Sequence, residues 1–184
     1  GGIVHRDLKP DNVHVKPGPL GDEVKIVDFG LAKVLGSERV TRQGVVFGTP
    51  YYMSPEQAMG EPIDHRADVY ALGIVLYEML SGRVPFEAET YTGVLTKHIA
   101  LEPAPPSERL GAPGSLGAIE AVVLRCLAKK PEDRFASAAA LATALDALPD
   151  IERSAPLHAR PFLERRLPPP VERRASSPRE RALP

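Results

Sequence analysis

The chain has 184 residues, of which 43% are hydrophobic and 26% charged, and its formal net charge at pH 7 is -1. This size and composition are typical of one globular domain with its own core. The near-zero charge excludes an overall field that would draw the protein to nucleic acid or to an anionic membrane. No run approaches the ~18 apolar residues of a membrane span and no secretory leader opens the chain, so we expect a cytoplasmic protein without a membrane segment in these residues.

Two short strands are predicted near the start of the chain. Apolar runs lie at Val13–Val15 and Val24–Val27, and residues 16–22 between them are rich in proline and glycine. Such turn residues between β-branched runs are typical of a hairpin. Residues 31–56 show little periodicity and predict a long surface loop, with simple disorder as the alternative.

Helices are predicted over much of the remaining chain. Asp68–Leu80 is apolar nearly all round, and such a helix must be buried at the centre of its domain. Further helices are predicted at about residues 89–100, 116–128 and 137–148, between proline-containing breaks. The single cysteine, Cys126, lies in an apolar run and indicates a packed thiol in a reducing compartment rather than a reactive nucleophile.

The last part of the chain differs in composition. Residues 150–184 are rich in arginine and proline and lack apolar periodicity. They predict a disordered tail or linker, because such a segment cannot bury enough apolar surface to offset its ordering entropy. A docking site for a proline-reading or acidic partner is the alternative. Residues 1–149 are then the folded part.

Four polar side chains flank the predicted hairpin. Asp7 and Asp28 lie at the edges of the strands, and the spacing of Lys9 and Asn12 allows a tight loop to aim all four groups at one place. Carboxylate and amide oxygens without cysteine ligands suit a hard cation such as Mg²⁺. The pattern predicts a magnesium–phosphate site.

Three motifs resemble those of the protein kinase family, in the family's order. They are His5-Arg6-Asp7-Leu8-Lys9-Pro10-Asp11-Asn12, Asp28-Phe29-Gly30 and Ser54-Pro55-Glu56. The resemblance implies a mainly α, kinase-like fold with a small β-hairpin region, consisting of the C-terminal lobe with the N-terminal lobe absent. It also implies a serine/threonine protein kinase that transfers the γ-phosphate of ATP to protein hydroxyls in signalling. The implied cofactors are ATP and Mg²⁺, or Mn²⁺ in its place.

The resemblance assigns roles to five residues. Asp7 would orient the substrate hydroxyl and accept its proton, and Lys9 would neutralise charge on the transferring phosphoryl group. Asn12 and Asp28 would hold the magnesium ions and, with Lys9, bind ATP. Thr49 would dock the substrate and bridge Asp7 and Lys9.

Regulation is implied by Arg6, which precedes the catalytic aspartate. By the resemblance this arginine marks kinases whose activation loop is ordered by a phosphate, since a guanidinium binds phosphate oxygens two at a time. Thr41 is the first candidate for that phosphorylation and Ser37 the second. The alternative for both is an ordinary solvated hydroxyl.

Structural roles are also implied. Glu56 would pair with Arg134, and Asp68 would hold the backbone of the loop at His5 and Arg6. Without the resemblance, Asp68 would be a helix N-cap and Arg134 a solvated charge.

The remaining histidines carry no sign of a site. His65, His98 and His158 have no clustered partners in the sequence, and we expect all three at the surface.

One departure from the family lies in what the chain lacks. It contains no glycine-rich phosphate loop and no strand lysine of the family type, and it does not begin with methionine. We therefore expect a fragment with the N-terminal kinase lobe upstream, inactive by itself. Leu31-Ala32-Lys33 resembles bacterial kinases. The rival functions are a pseudokinase or interaction module and, last, a nucleic-acid-binding protein resting on the arginine-rich tail alone.

Overall fold

The computed structural model of the protein describes residues 3–19, 21–28 and 49–149. Helices dominate, and the strands form one two-stranded antiparallel sheet, which confirms the predicted fold class. Predictions for Phe29, Gly30, Ser37, Thr41 and His158, and for the tail, lie outside the described residues.

The predicted hairpin is present, and its strands are longer than the apolar runs. Strand β1 is Val13–Gly18 and strand β2 is Gly21–Ile26, paired in register from Val13 with Ile26 to Gly18 with Gly21. The assignment of residues 16–18 and of 21 and 22 to the turn was wrong, because the backbone ladder continues past the apolar side chains. Pro17 is tolerated there, since each strand of a two-stranded sheet has a free edge.

Six helices follow the hairpin in the described part of the chain. They are α1 (Pro55–Met59), α2 (Arg66–Ser81), α3 (Tyr91–Ala100), α4 (Pro106–Arg109), α5 (Ala118–Cys126) and α6 (Ala138–Asp146). The predicted helices near residues 89–100, 116–128 and 137–148 are confirmed as α3, α5 and α6, each within about two residues at either end. The short helices α1 and α4 were not predicted.

Helix α2 is the central helix, as its composition predicts. Its side chains at Val69, Tyr70, Ile74 and Tyr77 are fully buried. Gly73 lets it approach α5 closely, because a Cβ there would lie 2.5 Å from the Cβ of Cys126. The helix begins two residues before Asp68 and ends at Ser81, and the next residue, Gly82, has a φ of 77° and forms a left-handed C-cap.

Two further predictions are settled by burial. Cys126 is fully buried, and burial raises the pKa of its thiol to about 12, so it is the packed thiol that was predicted. The surface position predicted for His98 is wrong. His98 follows Val94 by one helical turn on the inner face of α3, and both are fully buried.

Within the described residues, no helix combines the length and the apolar character that crossing a membrane requires.

Candidate active site

The loop that carries Asp7 is held by helix α2. Asp68, in the first turn of α2, accepts hydrogen bonds from the backbone N–H groups of His5, at 2.8 Å, and of Arg6, at 2.9 Å. Arg6 has a φ of 68°, which is unfavourable for a residue with a Cβ and persists only where its surroundings impose it. Asp68 is therefore not the helix N-cap, which is His65. It fixes a strained backbone turn next to Asp7.

Gln57 supports the same loop from a second helix and was missed in the sequence. Its Nε2 donates to the carbonyl of Arg6 at 2.9 Å, while its Oε1 accepts from the backbone N–H of Ser54 at 3.0 Å. Ser54 and Gln57 form a capping box at the start of α1. The spacing of serine and glutamine by three residues is the sequence signal that predicts such a box. The bond to Arg6 depends on the tertiary structure.

Asp7 and Lys9 lie together at the surface of the loop. Lys9 Nζ is 3.2 Å from Asp7 Oδ2, and the side chains are 19% and 31% exposed, respectively. Because they remain open to solvent, a substrate hydroxyl and a phosphate can reach both. The carboxylate can accept a proton, and the ammonium can neutralise negative charge next to it.

Asn12 lies beneath this pair, in a 3₁₀ turn at Pro10–Asn12. It is only 5% exposed, and its Nδ2 donates to the carbonyl of Asp7 at 2.7 Å. Its backbone N–H donates to the carbonyl of Lys9 at 3.0 Å. Since the amide nitrogen is engaged with the protein, Oδ1 is the atom that Asn12 offers to a cation.

Asp28 is brought next to Asn12 by the hairpin. The backbone N–H of Val27 donates to the carbonyl of Asn12 at 2.9 Å, which extends the strand pairing by one step. The ring of His5 bonds to the carbonyl of Val27 at 3.0 Å. Asp28 follows in an exposed position with a φ of 56°, a left-handed conformation that aspartate tolerates better than most residues. The base of the hairpin therefore places Asp28 one residue beyond the backbone bond between Val27 and Asn12.

The side-chain oxygens of Asn12 and Asp28 fit a magnesium ion that also binds phosphate groups. No group of three or more His, Cys, Asp or Glu side chains able to hold a metal occurs among the described residues. Mg²⁺ commonly takes only one or two carboxylates from the protein and completes its shell with water and substrate phosphates. Asn12 and Asp28 suit a magnesium ion that arrives with a nucleotide.

Glu56 and Arg134 form a buried ion pair. The guanidinium contacts both carboxylate oxygens, at 2.7 Å and 2.8 Å, and the Arg134 side chain is 0% exposed. The guanidinium also lies 4.9 Å from the ring centre of Tyr70. The solvated position considered for Arg134 is wrong, because its charge is compensated inside the domain.

Residues 49–53 form the segment before α1, the 49–53 segment. It contains a 3₁₀ turn at Pro50–Tyr52, and the buried Tyr52 donates its hydroxyl to Glu78 Oε2 of α2 at 2.8 Å. Burial, followed by the charge of Glu78, raises the pKa of Tyr52 well above its usual range. The Tyr52–Glu78 bond was not predicted, and no local pattern signals it. Thr49 makes no side-chain cap for this turn, and its bridge to Asp7 and Lys9 stays a prediction.

Comparisons with known proteins agree on one family. The sequence model described as the protein kinase domain matches residues 1–145. The chain is similar to the serine/threonine-protein kinase pkn3 of Myxococcus xanthus, with 47% identity over 157 residues that cover 83% of this chain and 28% of the relative. It is also 44% identical to the serine/threonine-protein kinase PknB of Mycobacterium tuberculosis over 140 residues, which cover 75% of this chain and 22% of the relative.

A solved structure of a kinase domain also matches the chain. A crystal structure of the PknI kinase domain of Mycobacterium tuberculosis, in a double mutant, matches with a TM-score of 0.54 and 25% identity. The match covers 79% of this chain and 45% of that chain. The chain spans about a quarter of the length of the curated relatives it matches.

Removing Arg134 should strongly destabilise the domain. In Arg134→Ala, Glu56 is left buried without its partner, and the free energy of unfolding should fall by about 3–5 kcal/mol. The measurement is the urea midpoint of the full chain. Arg66→Ala is the control, because its pair with Asp64 is 31% and 45% exposed and its loss should barely move the midpoint. Equal midpoints for the two variants would contradict this account.

The same pair predicts a pH dependence of stability. Burial alone would raise the pKa of Glu56, but the hydrogen bonds and charge of Arg134 outweigh it and hold the pKa below its ordinary 4.5. The ionised carboxylate therefore stabilises the fold above the unfolded pKa, and this stability is lost as pH falls through the folded pKa. The difference in unfolding free energy between wild type and Glu56→Gln should be constant from pH 7 to about 5.5 and shrink below about 4.5. A difference unchanged down to about pH 3 would contradict this assignment.

Proposed function

The chain belongs to the protein kinase family, and from this premise we propose that it is the C-terminal part of the catalytic domain of a bacterial serine/threonine protein kinase. The observation that supports the proposal is the contact of Lys9 and Asn12 with Asp7, together with the bond from the backbone of Val27, next to Asp28, to Asn12. Each of these side chains has a distinct task in phosphoryl transfer. An interaction module has no physical need for all four, which argues against the pseudokinase alternative.

In the proposed reaction, the protein mainly positions groups and neutralises charge. Asp7 orients the hydroxyl of the acceptor and takes its proton, while Lys9, 3.2 Å away, neutralises charge on the transferring phosphoryl group. Asn12 and Asp28 hold magnesium and, with Lys9, bind the phosphates of ATP. A bound magnesium ion supplies Lewis-acid neutralisation of the phosphate oxygens. Because the transition state is loose, the placement of these groups matters more than the basicity of Asp7.

The acceptor is proposed to be a serine or threonine of a protein, as the names of the similar proteins suggest. The 49–53 segment would align it beside Asp7, with Thr49 bridging Asp7 and Lys9. Support comes from the bonds that hold this segment to two helices, through Tyr52 to α2 and through Ser54 to α1. A rigid platform reduces the entropy lost when a flexible acceptor is bound.

The active enzyme is proposed to include a further lobe upstream, in the cytoplasm. The similar proteins are about four times longer than the matched region, which leaves room for other domains. The described residues supply groups for magnesium and acceptor but no lid over the phosphates. The domain would comprise residues 1–149, with 150–184 as a tail or linker, and signalling would be its cellular role.

Activity should depend on the upstream lobe and on the four side chains. With ATP, Mg²⁺ and a generic serine/threonine substrate, this chain alone should transfer no γ-phosphate, whereas a longer protein carrying the upstream region should. In the longer protein, Asp7→Asn should lower kcat by about 10²–10⁴-fold, because proton transfer and acceptor alignment are lost. Asp28→Asn tests the metal site in the same assay. Transfer by this chain that disappears in Asp28→Asn would contradict the requirement for the upstream lobe.

Phosphorylation of Thr41 should accompany activity, with Ser37 as the second candidate. A phosphate on this loop would be bound by the Arg6 guanidinium and would order the segment that precedes Thr49. Mass spectrometry of the active longer protein should find the phosphate, and Thr41→Ala should lower kcat while Thr92→Ala, on the exposed face of α3, should not. Active enzyme with both loop hydroxyls unmodified would contradict this mode of regulation.

A further inference from the structure

The peptide group between Arg6 and Asp7 is held at both of its polar atoms. Because a peptide is planar, the carbonyl of Arg6 and the N–H of Asp7 move together. The carbonyl accepts from Gln57 Nε2 at 2.9 Å, and the N–H donates to Nδ1 of the His5 ring at 3.3 Å. The carbonyl of Asp7 itself accepts from Asn12 at 2.7 Å. These bonds fix the backbone from which the Asp7 side chain projects.

This peptide needs support because Arg6 is strained. Its φ of 68° is unfavourable for a residue with a Cβ and persists only where its surroundings impose it. Rotation about the bonds on either side of the Arg6–Asp7 peptide would reverse the carbonyl while leaving the neighbouring residues nearly in place. The hydrogen bond from Gln57 opposes that reversal, since the reversed carbonyl would point away from Nε2.

The amide of Gln57 is oriented by two backbone partners. Its Oε1 accepts from the N–H of Ser54 at 3.0 Å, and its Nε2 donates to the carbonyl of Arg6 at 2.9 Å. A backbone N–H needs an oxygen opposite it, and a backbone carbonyl needs a donor, so exchanging the oxygen and nitrogen of the amide would break both bonds. One side chain therefore ties the start of α1 to the loop of Asp7.

The cap of α1 does not by itself require an amide at position 57. A capping box is served by glutamate as well as by glutamine, because it needs only an acceptor for the N–H of Ser54. A negative charge in the first turn of a helix is even favourable. In Gln57→Glu, the second carboxylate oxygen would face the carbonyl of Arg6, and neither atom would supply a hydrogen. The group that requires the amide is therefore the Arg6 carbonyl.

We infer that Gln57 is a positioning residue for Asp7. Its amide N–H holds the Arg6–Asp7 peptide in the orientation that aims the Asp7 carboxylate at the acceptor hydroxyl. It also links this orientation to the start of α1, which directly follows the 49–53 segment. Gln57 acts through the backbone of the loop rather than by touching nucleotide or acceptor. The consequence for catalysis rests on the proposed function, whereas the link between α1 and the loop does not.

Two variants separate the loss of the donor from the loss of the cap and from added charge. Gln57→Glu keeps the acceptor for Ser54 and loses the donor, while Gln57→Met loses both without adding charge. Ser137→Ala is the matched control, because it removes the side-chain N-cap of another helix, α6. The readout is hydrogen exchange of the Arg6 amide, which donates to Asp68 Oδ1 at 2.9 Å. It is measured by NMR on the full chain and corrected for the global stability of each variant.

Exchange of the Arg6 amide should be about tenfold faster in both Gln57 variants and unchanged in Ser137→Ala. Acceleration in Gln57→Met alone would assign the effect to the cap, and acceleration in Gln57→Glu alone would assign it to charge. Either result, or no acceleration in any variant, would overturn the inference. If the variants do not fold, the wild type decides. The bonded hydrogen on Gln57 Nε2 should then exchange about tenfold more slowly than that of free glutamine, and equal rates would overturn the link.

The catalytic consequence is measured in the longer protein that carries the upstream region. Gln57→Glu should lower kcat about tenfold, because a misplaced Asp7 no longer aligns the acceptor. The KM for ATP should stay within about twofold of wild type, and Ser137→Ala should change neither constant. An unchanged kcat, or a loss confined to the KM for ATP, would overturn the positioning role. If the wild-type longer protein transfers no phosphate, the proposed function fails, while the exchange experiment still decides the link between Gln57 and the loop.

Discussion

The buried guanidinium of Arg134 is the constraint on which the arrangement of the site depends. Its five N–H donors are all engaged, by both Glu56 oxygens and by the backbone carbonyls of Ala128, Arg66 and Lys129. A buried charge is tolerated only when it is paired and its donors are satisfied. The geometry therefore fixes the start of α1, the start of α2 and the loop after α5 relative to one another. These are three segments that are distant in the sequence.

The loop that carries Asp7 depends on the same region of the fold. Arg66, whose carbonyl binds Arg134, lies two residues before Asp68, whose carboxylate holds the strained turn at Arg6. The N-terminal turn of α2 is thus bound on one side to the ion pair and on the other to the loop of Asp7. Gln57, next to Glu56, adds a second support to the same turn. The ion pair and the position of the Asp7 loop are coupled because one helix end binds both.

The 49–53 segment is also held by helices α1 and α2, which follow it in the chain. It is joined to α2 by Tyr52 and Glu78, and to α1 by the capping box of Ser54. Tyr51 and Tyr52, in its 3₁₀ turn, are both buried, so the segment is held by packing as well as by these bonds.

The sequence by itself determined the fold class, the central helix and the four polar side chains of the site, because contiguous motifs and apolar patterns are local properties. The capping box of Ser54 and Gln57 has a sequence signal in its spacing of three, but helix α1 was not predicted from it. The tertiary structure alone decided that His98 is buried, that Tyr52 binds Glu78 and that Gln57 reaches the carbonyl of Arg6. Each of these contacts joins residues more than twenty positions apart, or depends on which helix face meets the core. Hydrophobic periodicity along the chain does not encode these contacts, because they form only when the helices pack against one another.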